Sequence, residues 1–465
     1  MNSISCYSWF LIFTLIFHSC SSDNVKIEPP KREALEIIIG GGGGYTPPAP
    51  PPEDVDGAPS PVCPPPLPPP PMCPPPPPPP RPRKPQLPPN IIRDYKTIQK
   101  FKKTITDDPF CITDSWKEGV YNVCATYKGF ACEARPDNGV LSLAAANFNG
   151  YNFNGPNLQV NSFLDQLPDL SIFHANSNYF TGGVPQRINT KNINFLYELD
   201  LSNNKFSGGF PMPVLQAKNL TFLDLRFNTF YGSLPNQVFD LDLDYLFLNN
   251  NQFDRNIPDN IGNTPASYLT FANNRFTGPI PRSIGNAKNL REALFLNNKL
   301  TGSLPYEIGF LRKTTVLDFS CNALTGPIPY SFGCLANLEF LNLARNQFHG
   351  PVPEILCTLP NLQSFSLAGN YLTGVGSQCR NLIQMNILDV KDNCILGLPN
   401  QKPPQECIEF FSTRRQYSNE KSMLYIPCQI NGYVKGTQSV YRKSGIAAAP
   451  PISYNALTPN NKIRV

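Results

Sequence analysis

A repeat of about 24 residues through the middle of the chain constrains the fold more than any other feature. The copies share the template L-x-L-x-x-N-x-[L/F]-x-G-x-[I/L/V]-P, as in LDLSNNKFSGGFP (Leu199 to Pro211), LDLRFNTFYGSLP (Leu223 to Pro235) and LNLARNQFHGPVP (Leu341 to Pro353). A degenerate copy lies around Ala146. The template asparagine recurs at steps of 23 to 26 residues, at Asn178, Asn204, Asn228, Asn251, Asn274, Asn298, Asn322, Asn346, Asn370 and Asn393.

The template can be interpreted physically. Alternating L-x-L predicts a short strand with its leucines turned toward the core and its other side chains on the opposite face. The asparagine ends the strand, and its amide can bond backbone groups that the turn leaves unpaired, so we expect a buried asparagine ladder. Period and pattern are those of leucine-rich repeats. The sequence thus predicts an α/β-type repeat solenoid, a leucine-rich repeat arc of about eleven repeats and about 50 Å length.

The cysteines are expected to close the two ends of the arc. Twelve of the 14 cysteines lie after residue 22, which indicates an oxidising compartment and disulfides. WKEGVYNVCATYKGFAC, before the first repeat, predicts a pair between Cys124 and Cys132. At the other end the preferred pairs are Cys357 with Cys379 and Cys394 with Cys407, and Cys428 lies nearby. Spacing assigns no mates to Cys63, Cys73, Cys111, Cys321 and Cys334, and Cys63 and Cys73 could join two chains in a disulfide-linked homodimer.

Changes in amino-acid composition along the chain divide the rest of it into segments. The apolar run WFLIFTLIF near the N-terminus, followed by small polar residues, is typical of a secretory signal and too short for a membrane span. PVCPPPLPPPPMCPPPPPPPRPRKP (Pro61 to Pro85) favours extended polyproline II. The predicted domains are signal peptide 1–22, disordered Gly/Pro-rich linker 23–94, N-terminal cysteine cap 95–140, leucine-rich repeats 141–397, C-terminal cysteine-rich hinge or cap 398–430 and flexible tail 431–465.

Several functional classes are excluded at this stage. The net charge of +5 is small for 465 residues and no basic stripe is present, so nucleic acid is not an expected partner. No CxxC spacing occurs, and we expect neither a metal site nor a cofactor. His174 has no nucleophile motif to accompany it, and neighbouring Asp200 and Asp224 are more typical of a solvated acidic stripe than of paired glycosidase acids. We expect no enzyme activity and no membrane insertion.

The chain resembles a known plant family from about Tyr95 to Phe411. FLYELDLSNNKFSGGFP (Phe195 to Pro211), TFANNRFTGPIP (Thr270 to Pro281) and NCILGLPNQKPPQEC (Asn393 to Cys407) are similar to the leucine-rich repeat extensins, extracellular wall proteins with an N-terminal cap, ten or eleven repeats and a cysteine hinge. Members of that family end in Ser-Pro-Pro-Pro-Pro arrays, whereas this chain ends in QINGYVKGTQSVYRKSGIAAAPPISYNALTPNNKIRV. Covalent anchoring through an extensin tail is therefore not expected here.

Function is expected on the concave face. Exposed apolar side chains beside carboxylates favour a protein or peptide ligand with a basic surface. Counting two, four and six positions before each template asparagine gives side chains expected to point outward on this face, which include Glu198, Asp200, Asp224, Tyr245, Phe247, Tyr268, Leu294, Leu296, Asp318, Asn342 and Asp389.

The resemblance implies more specific partners. These are basic cysteine-rich signalling peptides, together with malectin-like-domain receptor kinases, in cell-wall integrity or growth signalling. Two other roles stay open, an inhibitor of wall-degrading hydrolases and a purely structural wall protein. Arg81, Arg83 and Lys84 could attract acidic pectin. Asn219, in Asn-Leu-Thr, is the expected glycosylation site. The expected location is the cell wall.

Overall fold

The computed structural model describes residues 87–184, 195–413 and 423–428. The expected signal peptide, the proline-rich run Pro61 to Pro85 and the tail 431–465 lie outside the described residues. So do Cys63 and Cys73.

The first strand of each repeat joins one long sheet. In the described chain this sheet has 12 strands in the order β1-β2-β3-β5-β7-β9-β11-β13-β15-β17-β19-β21, antiparallel between the first two and parallel thereafter. The eleven strands after the first match the expected number of repeats. The strands are β1 (Phe130–Ala134), β2 (Leu141–Asn147), β3 (Ile172–His174), β5 (Glu198–Asp200), β7 (Phe222–Asp224), β9 (Tyr245–Phe247), β11 (Tyr268–Thr270), β13 (Glu292–Leu294), β15 (Val316–Asp318), β17 (Phe340–Asn342), β19 (Ser364–Ser366) and β21 (Leu388–Asp389).

The second half of each repeat contributes shorter parallel strands, ordered β10-β8-β6-β4 and β12-β14-β16-β18-β20. The template glycine adopts positive φ in seven of these nine strands. At Gly278, where φ is 75°, an added Cβ would lie 2.6 Å from Asn256 Oδ1, so a side chain there would also force Asn256 to move. The strands are β4 (Thr181–Gly182), β6 (Lys205–Gly208), β8 (Thr229–Gly232), β10 (Gln252–Phe253), β12 (Thr277–Gly278), β14 (Lys299–Gly302), β16 (Ala323–Gly326), β18 (Gln347–Pro351) and β20 (Tyr371–Gly374).

The convex return is made largely of 3-10 helices. The template proline stands at the N-cap of most of them, where its fixed φ suits the start of a helix. One further 3-10 helix lies in the N-terminal cap. They span Ile112–Ser115, Met212–Gln216, Asn236–Asp240, Ile261–Asn263, Arg282–Asn286, Tyr306–Phe310, Tyr330–Cys334 and Glu354–Thr358.

The asparagine ladder expected from the template is present. Asn251 Nδ2 donates to Leu225 O of the preceding rung at 2.9 Å and to Leu248 O of its own rung at 3.1 Å. Its Oδ1 accepts the Phe230 amide at 3.0 Å. The residue before each template asparagine is left-handed, as at Asn250 with φ 58°, and this turn places the amide inside. Each rung is thus bonded to its neighbour through a buried side chain.

Stacked rings run through the core alongside the leucines. Phe180, Phe206, Phe230, Phe253 and Phe276 follow one another through successive rungs with ring centroids 5.9 to 6.4 Å apart. All five side chains are fully buried. Because each ring contacts the ring above and below it, the core is a continuous column and not a set of separate clusters.

Helices close both ends of the solenoid. They are α1 (Pro89–Lys102), α2 (Val123–Thr126) and α3 (Asn161–Leu164) near the N-terminal end, and α4 (Ser377–Gln384) and α5 (Pro404–Ser412) at the other. α1 begins at Pro89, in the first turn of the helix, where proline is tolerated. Trp116 is fully buried in the N-terminal cap, and its Nε1 donates to Lys128 O at 2.9 Å.

Disulfides staple both caps. The structure joins Cys124 to Cys132, Cys357 to Cys379 and Cys394 to Cys407, which are the pairs preferred from the sequence. It also joins Cys334 to Cys428, two residues that spacing did not pair. This bond brings residues 423–428 back along the convex side, where the Tyr425 ring lies 5.6 Å from that of Tyr306. Among the described cysteines Cys111 is a free, exposed thiol.

Candidate functional site

The candidate site is the face of the 12-stranded sheet that points away from the core. In β5 the central Leu199 is buried in the core, and Glu198 and Asp200 flank it on the opposite, concave face. The same alternation holds in β7, β9, β11 and β13. Parallel register then aligns equivalent positions of neighbouring rungs, as in Glu198 beside Phe222 and Asp200 beside Asp224. The concave face is therefore a set of side-chain ladders.

The N-terminal part of this face is an acidic cluster. His174 Nε2 lies 2.8 Å from Glu198 Oε2, and Arg226 Nε lies 2.7 Å from Asp224 Oδ2. Asp200 lies between them and accepts from the Ser202 amide and hydroxyl at 2.9 and 2.6 Å. Of these carboxylates Glu198 remains accessible, with 39% of its side chain exposed.

Burial and neighbouring charges shift the pKa values of two groups in the acidic cluster. Burial raises the pKa of Asp224 to about 7, although Arg226 opposes the shift. Burial lowers the pKa of His174, but the bond to Glu198 and the charges of Asp200 and Asp224 outweigh it, so the pKa of His174 is raised overall. Asp224 therefore changes charge near neutral pH, and His174 keeps its proton to a higher pH than a free imidazole does.

Aromatic rings follow the acidic cluster along the face. Phe222 lies 5.8 Å from Tyr245, and Tyr245 stacks on Tyr268 with centroids 5.1 Å apart and planes 11° apart. All three side chains are half-buried. The Arg226 guanidinium lies 5.1 Å from the centroid of the Phe247 ring. An accessible aromatic surface next to a carboxylate can hold a peptide that carries apolar and basic side chains.

A separate apolar cluster follows the tyrosines. It consists of Ala272, Leu294, Leu296, Val316 and Phe340, each between 0 and 8% exposed, and it is distinct from the main core. Beside it lies Glu292, whose pKa is raised well above its ordinary value by burial and by the charge of Asp318.

The expected exposure of this face needs correction. The positions do fall on the concave face, but Asp200, Phe247 and Leu296 are 7, 2 and 3% exposed and Asp224, Leu294 and Asp318 are fully buried. Adjacent strands lie about 4.8 Å apart, so side chains of neighbouring rungs pack flank to flank. His174, taken from the sequence as an exposed residue, is 4% exposed for the same reason. The positions that stay accessible among those expected are Glu198, Tyr245, Tyr268, Asn342 and Asp389.

Three residues of the site were not named from the sequence. Phe222 and Glu292 stand six positions before template asparagines, and Arg226 stands two before one. The counting rule contains all three, so the same signal would have identified them.

The described residues contain no group of three or more histidines, cysteines or carboxylates that could hold a metal ion. Nor does any helix in the described ranges have the length and apolar character needed to cross a bilayer. Asn219 is exposed on the approach to β7, and its glycosylation stays a prediction.

Comparison with known proteins agrees with the repeat architecture. A family model described as Leucine Rich Repeat matches residues 195–216, 313–335 and 337–359. The array is a leucine-rich repeat solenoid. Leucine-rich repeat extensin-like protein 1 of Arabidopsis thaliana is 41% identical over 116 residues, which cover 24% of this chain and 14% of that protein. The chain thus spans about one seventh of the length of that relative.

Solved plant receptors share the fold of this leucine-rich repeat solenoid. One is the ectodomain of the Arabidopsis thaliana receptor kinase GASSHO1/SCHENGEN3 in complex with CASPARIAN STRIP INTEGRITY FACTOR 2. It is 26% identical with a TM-score of 0.59, over 65% of this chain and 36% of that one. Another is the Arabidopsis receptor kinase HAESA with the peptide hormone IDA and the co-receptor SERK1, 26% identical with a TM-score of 0.56, over 65% and 50%. These similarities and the disulfides fit an extracellular ligand-binding fold, and none indicates a catalytic family.

Proposed function

We propose that the protein is a secreted, cell-wall-associated leucine-rich repeat scaffold that binds basic cysteine-rich signalling peptides on its concave face, in cell-wall integrity or growth signalling. The observation that carries the proposal is the accessible Glu198 beside the half-buried rings of Phe222, Tyr245 and Tyr268. A carboxylate steers a cationic peptide, and the aromatic surface supplies an apolar anchor. The similarity to receptor ectodomains solved with peptides supports a peptide as the ligand.

We also propose how the chain is processed and what it contacts. The proposal includes signal cleavage after residue 22, glycosylation at Asn219 and attraction of pectin by Arg81, Arg83 and Lys84. We propose malectin-like-domain receptor kinases as the class of partner that relays the signal. We restrict the proposed ligand-contacting residues to the accessible positions of the concave face. Phe247 is buried, so truncating it would test packing within the protein and not contact with a ligand.

The test is calorimetric titration of the full secreted chain with a panel of basic cysteine-rich peptides at physiological salt. We expect Glu198→Lys and Tyr268→Ala each to weaken binding by about tenfold, which is about 1.4 kcal/mol. Asp242→Lys and Tyr231→Ala are matched controls, since both residues are exposed and lie outside the strands of the concave sheet. They should bind like the parent.

Two results would contradict the proposal. One is the absence of heat with every peptide, and the other is an equal loss in the controls and the concave variants. In either case, inhibition of a secreted polygalacturonase by the same preparation would favour the hydrolase-inhibitor role. Extraction of the protein only after wall digestion, with neither activity, would favour a structural role.

A further inference from the structure

Three titratable side chains of the acidic cluster stand in one row across neighbouring strands. Parallel register places His174 of β3 beside Asp200 of β5, and Asp200 beside Asp224 of β7. Adjacent strands lie about 4.8 Å apart, so each side chain packs against the next. All three are buried, with 4, 7 and 0% exposed. A change of charge in one member of this buried row therefore acts on the others with little screening by water.

Uncharged side chains flank the buried row on both sides. Asn147 of β2 stands beside His174, and Phe247 of β9 stands beside Asp224. The Phe247 ring also covers the Arg226 guanidinium, whose Nε lies 2.7 Å from Asp224 Oδ2. The row is thus enclosed by an amide and an aromatic ring, with a cation beside its last carboxyl.

His174 connects the buried row to the accessible part of the face. Its Nε2 lies 2.8 Å from Glu198 Oε2, and its ring centroid lies 6.3 Å from that of Phe222. Glu198 and Phe222 are both accessible members of the candidate site. A protonated His174 pairs with Glu198 and neutralises its charge, whereas a neutral His174 leaves that charge to an incoming cation.

The two aspartates of the row favour uptake of a proton. Like charges directly opposite one another on neighbouring strands repel, and burial makes a charged carboxyl still less favourable. Burial and the charge of Asp200 raise the pKa of Asp224 to about 7, against the opposing effect of Arg226. Burial lowers the pKa of His174, but the contact with Glu198 and the charges of both aspartates raise it overall above its ordinary value of 6.5.

We propose that His174, Asp200 and Asp224 form a proton-operated switch beneath Glu198, through which the concave face binds a cationic ligand more tightly as protons leave the buried row. The inference rests on the proposed function, because the ligand it concerns is the basic peptide of that function. It adds regulation of the binding by pH.

The direction of the switch follows from the charges. At pH 5.5 His174 is positively charged and Asp224 is neutral, because both pKa values lie above that pH. Asp224 loses its proton near pH 7 and His174 loses its proton above pH 6.5, and each loss makes the cluster more negative by one charge. A cationic ligand binds the deprotonated cluster better, so its binding releases protons and strengthens as pH rises.

The first experiment follows the imidazoles of the full secreted chain by NMR with ¹³C-labelled histidine, and it needs no ligand. The sequence contains three histidines, and His174→Gln identifies the signal of His174. We expect this signal to titrate above pH 6.5, and at a lower pH in Glu198→Gln because the anionic partner is lost. A midpoint at or below 6.5, or one that Glu198→Gln does not move, would overturn the switch.

The second experiment measures affinity by calorimetry at pH 5.5 and pH 8.5. The ligands are the panel peptides that bind and, at low salt, N-acetylated hexa-arginine, whose charge is constant over this range. We expect the affinity of the parent to rise about tenfold between the two pH values. The double variant His174→Gln/Asp224→Asn should lose most of this rise, because neither replaced side chain titrates. Each single variant should lose part of it, so the test does not depend on the folding of the double variant.

His349→Gln is the matched control. His349 lies in β18 beside the Phe410 ring, outside the concave sheet, and its replacement should keep the parental pH profile. Hexa-arginine that follows the expected profile while no panel peptide binds would support the switch and contradict the proposed function. An equal rise in the parent and the double variant would overturn the switch even if a panel peptide binds, and so would the failure of hexa-arginine to bind.

Discussion

The template asparagine shows how a single residue can fix the spacing of a whole repeat. Asn274 Nδ2 donates to Leu248 O, Phe271 O and Ala272 O at 3.0, 3.1 and 3.2 Å. Its Oδ1 accepts the Phe253 amide at 3.1 Å. One side chain therefore satisfies backbone groups of two rungs in a place that water does not reach.

Replacing that side chain should be costly. We expect Asn274→Ala to lower the free energy of unfolding by about 2–3 kcal/mol, because buried carbonyls and an amide lose their partner. Urea unfolding followed by circular dichroism measures the change. Asn361→Ala is the control, since Asn361 is exposed and donates a single bond to Ala336 O at 2.9 Å. It should change the free energy by less than about 1 kcal/mol, and an equal effect of the two substitutions would contradict a special role for the ladder.

Asp224 should make stability depend on pH. Its folded-state pKa of about 7 lies above the ordinary value of 3.8, so the native state binds this proton more tightly than the unfolded chain does. The resulting stabilisation is complete below about pH 4 and is lost as pH rises through about 7. Asp224→Asn keeps the side chain neutral, so its stability relative to the parent should rise by about 2–3 kcal/mol between pH 5 and pH 8.

Urea unfolding at pH 5 and pH 8 tests this prediction. Asp242→Asn, which neutralises an exposed carboxylate, should show no such contrast between the two pH values. A gain for Asp224→Asn of the same size at both pH values would mean that packing, and not protonation, separates the variant from the parent.

The sequence predicts which face of the sheet a side chain occupies better than it predicts how deeply that side chain is buried. Counting from the template asparagine assigns Asp224 and Leu294 to the concave face, as the structure does, because strand alternation is local. It does not indicate that both are fully buried, since burial depends on side chains one rung away. The ion pair of Asp224 with Arg226 lies within one rung, yet the raised pKa of Asp224 arises from that non-local burial.

Among the structural elements, the C-terminal disulfide between Cys334 and Cys428 is the hardest to predict from the sequence. Cys124 and Cys132 are eight residues apart and suggest a local loop, whereas Cys334 and Cys428 are 94 residues apart. Their approach depends on the return of the chain past α5, which no local pattern encodes. By contrast, the repeat strands, the asparagine ladder and the number of rungs follow from a period of 24 residues.

Removing that staple should destabilise the C-terminal half. We expect Cys428→Ser to cost about 2–4 kcal/mol, because the cross-link restricts the unfolded chain over a long loop. The substitution also frees the segment that places Tyr425 against Tyr306. Urea unfolding without reductant compares it with Cys111→Ser, which removes a free exposed thiol and should change little. Equal midpoints for the two variants would show that the staple contributes nothing measurable.

At the scale of the whole molecule, the solenoid is nearly one-dimensional. Each rung contacts the rungs beside it through the parallel sheet and the asparagine ladder, and five of the rungs are also joined through the phenylalanine column. Stability in such a fold is a sum of rung and interface contributions, and the ends depend on their caps. A destabilising substitution in one cap should therefore affect only the rungs near that cap.

Trp116 allows that locality to be measured. Its ring lies 5.2 Å from Phe130 and 5.8 Å from Phe148, so Trp116→Ala should remove about 3–5 kcal/mol from the N-terminal cap. Hydrogen exchange followed by mass spectrometry should then accelerate in β2 and β3 while β17 and β19 keep their parental rates. Phe410→Ala, which removes the ring stacked 3.5 Å from Tyr371, is the reciprocal variant and should accelerate exchange at the opposite end. Uniform acceleration in both variants would instead show that the arc unfolds as one cooperative unit, with both caps bearing on every rung.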